Sequence, residues 1–413
     1  MAKAENRRRR RKLRPVYFDY NMLACVIILI FFGLVMLYSA SAYEAANDAA
    51  VGFDDMFYFK RQLRSDLVAF VVCVFFIFYD YHRAIRWSPV LYVIALVLMF
   101  AVASPLGVTV NGARRWLNLG FGQFQPSEIA KIAIILFLPW LIMKMGKHVN
   151  TLRGGLFLIG VGLLQALVAY VFTDNLSTGI IIALISVVMV FLASPKIKPF
   201  VIVALIIVAA MVAFLLYAKY NLTGSSSFRM RRILAWLEPE QNMDTGGYQV
   251  LQGLYAIGSG GFFGKGLGNS TQKLATIPEA QNDMIFSIIC EELGLFGAIL
   301  VLLLFGYLLY RLCVIAMNAP DLYGTLVAAG VFTHVALQVI LNICVVLNVI
   351  PTTGVTLPFV SYGGTSVVFL MSEIGIALNI SRNIRYEEQE GGREKRKRSS
   401  GRSARRVSRA AEG

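Results

Sequence analysis

Charge is scarce in this chain. Only 15% of its 413 residues are Asp, Glu, Lys or Arg, whereas 57% belong to the hydrophobic set and the mean hydropathy is +0.65. A water-facing surface cannot be assembled from so few polar side chains, so a soluble globular domain is excluded. Cysteine is also sparse. Cys25, Cys73, Cys290, Cys313 and Cys344 are odd in number, scattered through apolar runs and free of any C-x-x-C spacing, and they read as small apolar filler. There is no internal repeat. The glycine-rich "GFFGKGLG" lacks the Ser or Thr that a phosphate-binding P-loop carries after Gly-Lys, and no strand precedes it, so no nucleotide is implied.

What is present is a series of apolar runs about as long as a bilayer's hydrocarbon core, roughly 17 to 25 residues. They lie near 20–41, 66–80, 88–104, 127–143, 155–172, 177–193, 199–218, 284–311, 323–347 and 364–381. The expected fold class is an all-α polytopic membrane protein of about ten transmembrane helices, with a large outer loop between spans seven and eight. The first run has basic residues before it and "SASAYE" after it, as a signal peptide does. Its apolar core from Met22 to Leu37 exceeds the roughly 7–15 residues of such a segment, so an uncleaved span is expected.

The net charge of +15 raises the question of nucleic acid, and the placement of the charge answers it. With both termini in the cytoplasm, the basic N-tail (1–19), the short inner loops and the tail from 383 to 413 (with Arg382 at its edge) hold 27 of the 39 Lys and Arg; the outer loops hold 11, and Lys131 lies within a span. That asymmetry is the positive-inside pattern. The basic ends are orientation signals and contacts for anionic membrane lipids, and no nucleic acid is expected. The C-terminal tail lacks the apolar residues to fold alone.

The least expected residues lie in the outer loops. Arg114, Arg115 and Trp116 in "PLGVTVNGARRWLNLGFGQFQPSE" defy the charge rule; they suit either an interfacial belt gripping lipid phosphates or the anionic head of a lipid substrate, which guanidinium groups match bidentately. Pro126 suits a first helical turn, and Glu128 and Lys131, three apart, share a helix face as a potential intramembrane ion pair. In the 219–283 loop, "SSFRMRRILAWLEP" has the spacing of an interfacial helix. Lys265 there is at most a phosphate contact, and the sequons at Asn221 and Asn269 carry no weight. At the start of the eighth span Asp283, Ser287 and Glu291 recur every four residues, as do His334, Gln338 and Asn342 in the ninth. Two such stripes suggest a polar cleft between helices. By itself, Asp283 would also suit an ordinary helix cap.

The stretches "NGARRWLNLG", "FQPSEIAK", "GGYQVLQGLYAIGSGGFFGKGLG", "PEAQNDMIFSIICEELG" and "PTTGVTLPFVSYGGTS" together resemble the shape, elongation, division and sporulation family, over about Phe18 to Arg382. The "NGARRW" pairing, the "GGYQ…GLYAIGSGG" run and the basic tails lean toward its cell-division members. The resemblance implies ten spans and the polymerisation of lipid II into glycan strands outside the cytoplasmic membrane. It implies that the essential acid is Asp283, the Arg-Trp motif Arg115 and Trp116, the fourth-span pair Glu128 and Lys131, and the paired acids Glu291 and Glu292. The final Pro-rich loop corresponds to Pro351 through Ser366, including Ser361. Two departures stand out. "FTDNLSTG" aligns Asp174 but replaces the family's following Gly, and Gln281 and Asn282 stand where many members have a His before the essential Asp.

On that resemblance Asp283 is the expected general base, taking the proton of the acceptor 4-hydroxyl. A carboxylate at a helix end should be a weak base unless burial raises its pKa. Arg114, Arg115, Lys131 or Lys265, with a divalent cation such as Mg2+ or Mn2+, would offset charge on the leaving diphosphate, while Glu291 and Glu292 would orient partners or bind a cation. The implied partners are lipid II, the growing strand, a single-pass class B penicillin-binding protein and other division-site membrane proteins, with localisation at the septum. Two other functions remain open, a lipid-precursor transporter without chemistry and a scaffold in which Asp283 is dispensable.

Overall fold

The computed structural model describes residues 18–110, 113–118, 123–194, 200–201, 205, 228–274 and 277–384. The basic N-tail, most of the expected seventh span, Asn221 and the tail beyond 384 lie outside the described residues.

Helix α1 spans Tyr20–Asn47, α2 Phe57–Phe78 and α3 Tyr81–Ala101, followed by α4 (Pro126–Met145), α5 (Leu152–Phe172) and α6 (Leu176–Ala193). Two shorter helices, α7 (Phe228–Leu237) and α8 (Gly247–Gly260), precede α9 (Ile285–Asn318), α10 (Leu322–Val346) and α11 (Thr365–Asn383). Among the described residues seven helices are long and apolar enough to cross a membrane: α1, α3, α4, α5, α6, α9 and α10. Side chains on the chain just before them fix several starts. Asp19, Asp80, Thr151, Asn175 and Asp321 each accept a backbone N–H from the first turn of the following helix, satisfying a donor that helix geometry leaves open.

The second expected run differs most from the observed helix. It is read as 66–80, yet α2 begins at Phe57. Its first turns carry Lys60, Arg61, Gln62, Arg64 and Asp66, too polar for a hydropathy window. Gln62 and Asp66 are nevertheless buried. Gln62 donates to Asp66 Oδ1 at 2.9 Å and accepts the Gly363 and Gly364 N–H groups at 3.3 Å each, which ties α2 to the start of α11.

A second difference lies in the first outer loop, within the all-helical fold. The first outer loop forms a three-stranded antiparallel sheet, β1 (Gly107–Val110), β2 (Ala113–Asn118) and β3 (Gln123–Phe124). Val108 pairs with Trp116 and Leu117 with Phe124. Strands this short carry no periodic signal in a sequence, and pairing across turns decides them.

The third difference is a break in α9. Gly294 adopts φ 67 and ψ −167, and the segment after α8 enters the gap. Lys265 and Gly266 donate backbone N–H groups to the Glu291 and Glu292 carbonyls at 2.9 Å, while Leu295 and Phe296 donate to the Gly261 and Phe262 carbonyls at 3.0 and 3.1 Å. The backbone groups released by the break are thus re-satisfied within the protein, as a membrane interior demands.

At the end assigned to the cytoplasm, Arg311 Nε and Nη2 donate to Asp19 at 3.0 and 2.8 Å. The Tyr81 hydroxyl donates to Asp321 at 2.6 Å, and Asn379 Nδ2 donates to the Ile77 carbonyl at 2.7 Å. At this end the helices are pinned to one another by their side chains.

Candidate active site

A cavity of about 590 Å³ opens at the opposite, outer end. Its lining includes Arg61 and Ser65 of α2, Arg115 and Trp116 of β2, Glu128 and Lys131 of α4, Thr178 and Ile181 of α6, Arg232 of α7, and Gln338 of α10. Glu279 and Asn282, just before α9, and two pieces of the α10–α11 loop, Gly354–Thr356 and Tyr362–Ser366, complete the wall.

The α10–α11 loop is held in place from several sides. Asn342 Nδ2 donates to the carbonyls of Asp283 and Val355, both at 2.8 Å. The Tyr362 N–H donates to the Gln281 carbonyl at 2.9 Å. From α7, Trp236 Nε1 donates to the Asn348 carbonyl at 2.9 Å and Arg232 to the Thr352 carbonyl at 3.2 Å. The stretch read as an interfacial helix is a helix, and it docks on this loop.

Asp283, partly exposed, follows the lining residue Asn282 in the chain without itself lining the cavity, and the charges of the lining residues Glu279 and Arg232 act on it. It does not cap α9, whose preceding residue is Met284 with no side-chain cap bond. The Asp283 carboxylate has Gln249 Nε2 at 3.5 Å. Burial first, and the negative charge of Glu279 second, raise its pKa from 3.8 to about 6, against the opposing pull of Arg232. Of the two opposed expectations, a low pKa from a helix end and a raised one from burial, burial dominates.

A raised carboxylate pKa has a stability consequence. Ionising Asp283 costs more in the folded than in the unfolded chain, so stability present below pH 3.8 is lost as pH rises through about 6. Asp283→Asn should therefore unfold at a higher temperature than wild type at pH 8, by an amount on the order of 1–3 kcal/mol, with the gap closing toward pH 4. Thermal unfolding in detergent at both pH values measures this, and equal transitions at pH 8 would refute it.

The residues singled out from the sequence fall into separate groups. Arg115, Trp116, Glu128 and Lys131 meet in the cavity, and Lys131 Nζ lies 2.8 Å from Glu128 Oε1, both side chains buried. Asp174 contributes through its backbone. At φ 46, a conformation Asp tolerates better than most residues, it offers its carbonyl to Arg115 Nη2 at 3.0 Å, which defines the loop shape left open by the missing glycine. Arg114 turns away and donates to the Ser104 carbonyl. The Ser361 hydroxyl accepts the Leu357 N–H at 2.9 Å within its own turn.

Lys265, Glu291 and Glu292 form a second cluster around the α9 break, apart from the cavity lining. Lys265 Nζ is 2.6 Å from Glu291 Oε1, which also accepts from the Thr271 N–H at 3.1 Å; Glu291 Oε2 accepts from the Ser270 hydroxyl. Glu292 accepts from Lys273 Nζ at 2.9 Å and the Ser39 hydroxyl at 2.7 Å. These acids hold a loop on a helix.

Arg61, Arg232 and Glu279 were not anticipated in the cavity. Arg61 belongs to the polar start of α2, and Arg232 to a helix whose sequence indicates an interface but not what it packs against. Among the described residues no group of three or more His, Cys, Asp or Glu side chains converges as a metal site.

Fold and cavity together define a polytopic helical membrane protein with a polar, cation-rimmed cleft open at its outer end. A family model described as cell cycle protein, FtsW/RodA/SpoVE, matches residues 19–386, and the chain belongs to this family. It is 40% identical over 371 residues to stage V sporulation protein E of Bacillus subtilis (strain 168), covering 89% of this chain and 98% of that protein. It is 36% identical over 379 residues to the probable peptidoglycan glycosyltransferase FtsW of Trichlorobacter lovleyi, covering 91% of this chain and 96% of that one. Among solved structures, a chain from work on "structural coordination of polymerization and crosslinking by a peptidoglycan synthase complex" superposes with a TM-score of 0.72 at 26% identity, over 90% of this chain and 99% of that one. RodA of Thermus thermophilus, at 24% identity, covers 90% of this chain and 98% of its own with a TM-score of 0.60 and shares the fold.

Proposed function

We propose that the protein is a peptidoglycan glycosyltransferase that polymerises lipid II on the outer side of the cytoplasmic membrane during cell division, with Asp283 as general base. The observation that carries the reading is a carboxylate of raised pKa that feels the charges of Arg232 and Glu279, two residues of a cavity also lined by Arg61 and Arg115. Asp283 takes the proton of the acceptor 4-hydroxyl as that oxygen bonds to the donor's anomeric carbon. The bond from that carbon to the lipid diphosphate breaks with inversion, and the guanidinium groups offset the charge that the diphosphate gains. Functional names of relatives agree with this chemistry. A divalent cation, Mg2+ or Mn2+, would have to come with the diphosphate, and no step is routed through it.

A penicillin-binding transpeptidase partner is proposed from the solved complex that this chain resembles, and septal placement from the division-type relatives. A transporter is the competing reading. It would need a polar path into the inner half of the bundle, where Asp19, Arg311, Tyr81 and Asp321 are instead engaged with one another.

The test is glycan polymerisation by the purified full chain, complexed with its transpeptidase partner whose own active site is blocked, from lipid II in detergent or liposomes. Polymer supports the transferase. No polymer together with lipid II translocation in liposomes would replace it with the transporter.

A further inference from the structure

The cavity is lined by Arg61, Arg115 and Arg232 and by the paired Glu128 and Lys131, and its lining also holds a group that the proposed chemistry does not use. Gln338 is 4% exposed, lines the cavity, and its Oε1 has no hydrogen-bond partner among the described residues. A buried acceptor left unmatched costs about 1–3 kcal/mol, so a donor from a bound molecule is the natural complement.

The surroundings narrow what that donor belongs to. A Cβ on Gly330 would lie 3.1 Å from Ile135, so α10 packs against α4. Toward the cavity, Gln338 of α10 and Glu128 and Lys131 of α4 line the same space. Lys131 is already matched to Glu128 at 2.8 Å, so this lysine offers little to a phosphate. Ile181 and Val355 supply an apolar wall, and Thr178 lies on the same wall. On α10, Asn342 holds the Asp283 carbonyl at 2.8 Å, and Gln338 sits one turn, about 5.4 Å, further along that helix. A group read by Gln338 is therefore on a sugar close to the reacting atoms.

We infer that Gln338 is a specificity residue that reads a 2-acetamido group of the substrate's hexosamines. The acetamido N–H donates to Oε1, its carbonyl accepts from the Gln338 amide, and its methyl rests on Ile181 and Val355. The inference rests on the glycosyltransferase reading. Both sugars of the lipid-linked disaccharide carry this group, and the experiment separates them.

Polymerisation kcat/KM is measured for three lipid II forms: native, with the muramyl acetamido replaced by hydroxyl, and with the glucosaminyl acetamido replaced by hydroxyl. Wild type is compared with Gln338→Leu and with Gln338→Glu, which keeps an acceptor. Folding of each variant is checked by thermal unfolding. Wild type should prefer native substrate over one analogue by about 5- to 150-fold. Gln338→Leu should bring that preference to within about threefold by slowing the native substrate alone, and Gln338→Glu should retain more of it. The analogue affected identifies the sugar. Equal loss on all three forms would make Gln338 merely structural, and a preference unchanged in both variants would remove it from recognition; either result overturns the inference while leaving the transferase intact. No polymer from wild type with native lipid II would instead overturn the transferase reading, and this one with it.

Discussion

Asp283→Ala should reduce glycan polymerisation by about 10²–10⁴-fold, the range that a positioned general base contributes, without releasing the α10–α11 loop. That loop is tied to Asp283 by its backbone, through Asn342 at 2.8 Å, and the substitution keeps the backbone. Loss should therefore fall on kcat more than on KM. The acid side of the pH profile supplies a second readout. Asp283 must be unprotonated to accept a proton, and its pKa is raised to about 6 by burial and by Glu279. Wild-type kcat/KM should then rise with pH and level off above about 6. Glu279→Gln removes the second cause and should move that limb toward lower pH. Polymer formation by a folded Asp283→Ala complex at the wild-type rate would take Asp283 out of the mechanism.

Gly294→Ala should be strongly disruptive, costing roughly 3–5 kcal/mol, the level reached by named backbone and packing faults. Two independent reasons combine. A φ of 67 with ψ −167 lies in a region essentially confined to glycine. A Cβ there would also run into Gly264 N and sit 2.5 Å from the Phe262 carbonyl oxygen. Relief requires withdrawing the 261–266 segment, which exposes the backbone groups at the helix break and loosens the anchors of Glu291 and Glu292. A neighbouring control, Gly306→Ala, has nothing within 4 Å of its new Cβ and should behave as wild type. Thermal unfolding of the two variants side by side decides the matter, and equal transition temperatures would sink the prediction.

Legibility in the sequence differed residue by residue. Glu128 and Lys131 were readable as a pair because both lie on one helix, where a spacing of three guarantees proximity. Arg115 and Trp116 were conspicuous because outward arginines oppose the charge rule. Arg61 and Arg232 carried no comparable mark, since each is one cation among several in a polar stretch. Only the docking of α2 against α11, and of α7 on the α10–α11 loop, brings them to the same cavity as Arg115. Lys265, Glu291 and Glu292 stood out for the opposite reason. Charges in apolar sequence point to function by default, yet here they hold the loop that heals a broken helix. The sheet at 107–124 was invisible because strands of two to six residues have too few alternations to register.

The sequence by itself determined that this chain belongs in a bilayer, where most of its described helices run, and which end of the bundle carries the cleft. Those properties follow from the transfer energies of individual side chains and from charge bias along the chain, both local and nearly additive. The tertiary structure alone decided which charges face one another. Whether Asp283 titrates near 6, whether Lys265 meets Glu291 and whether Gln338 is left with an open acceptor depend on helix rotation, on the break at Gly294 and on loop docking. Electrostatic energies change steeply over a few ångströms and with burial, so they are set by that arrangement and not by composition.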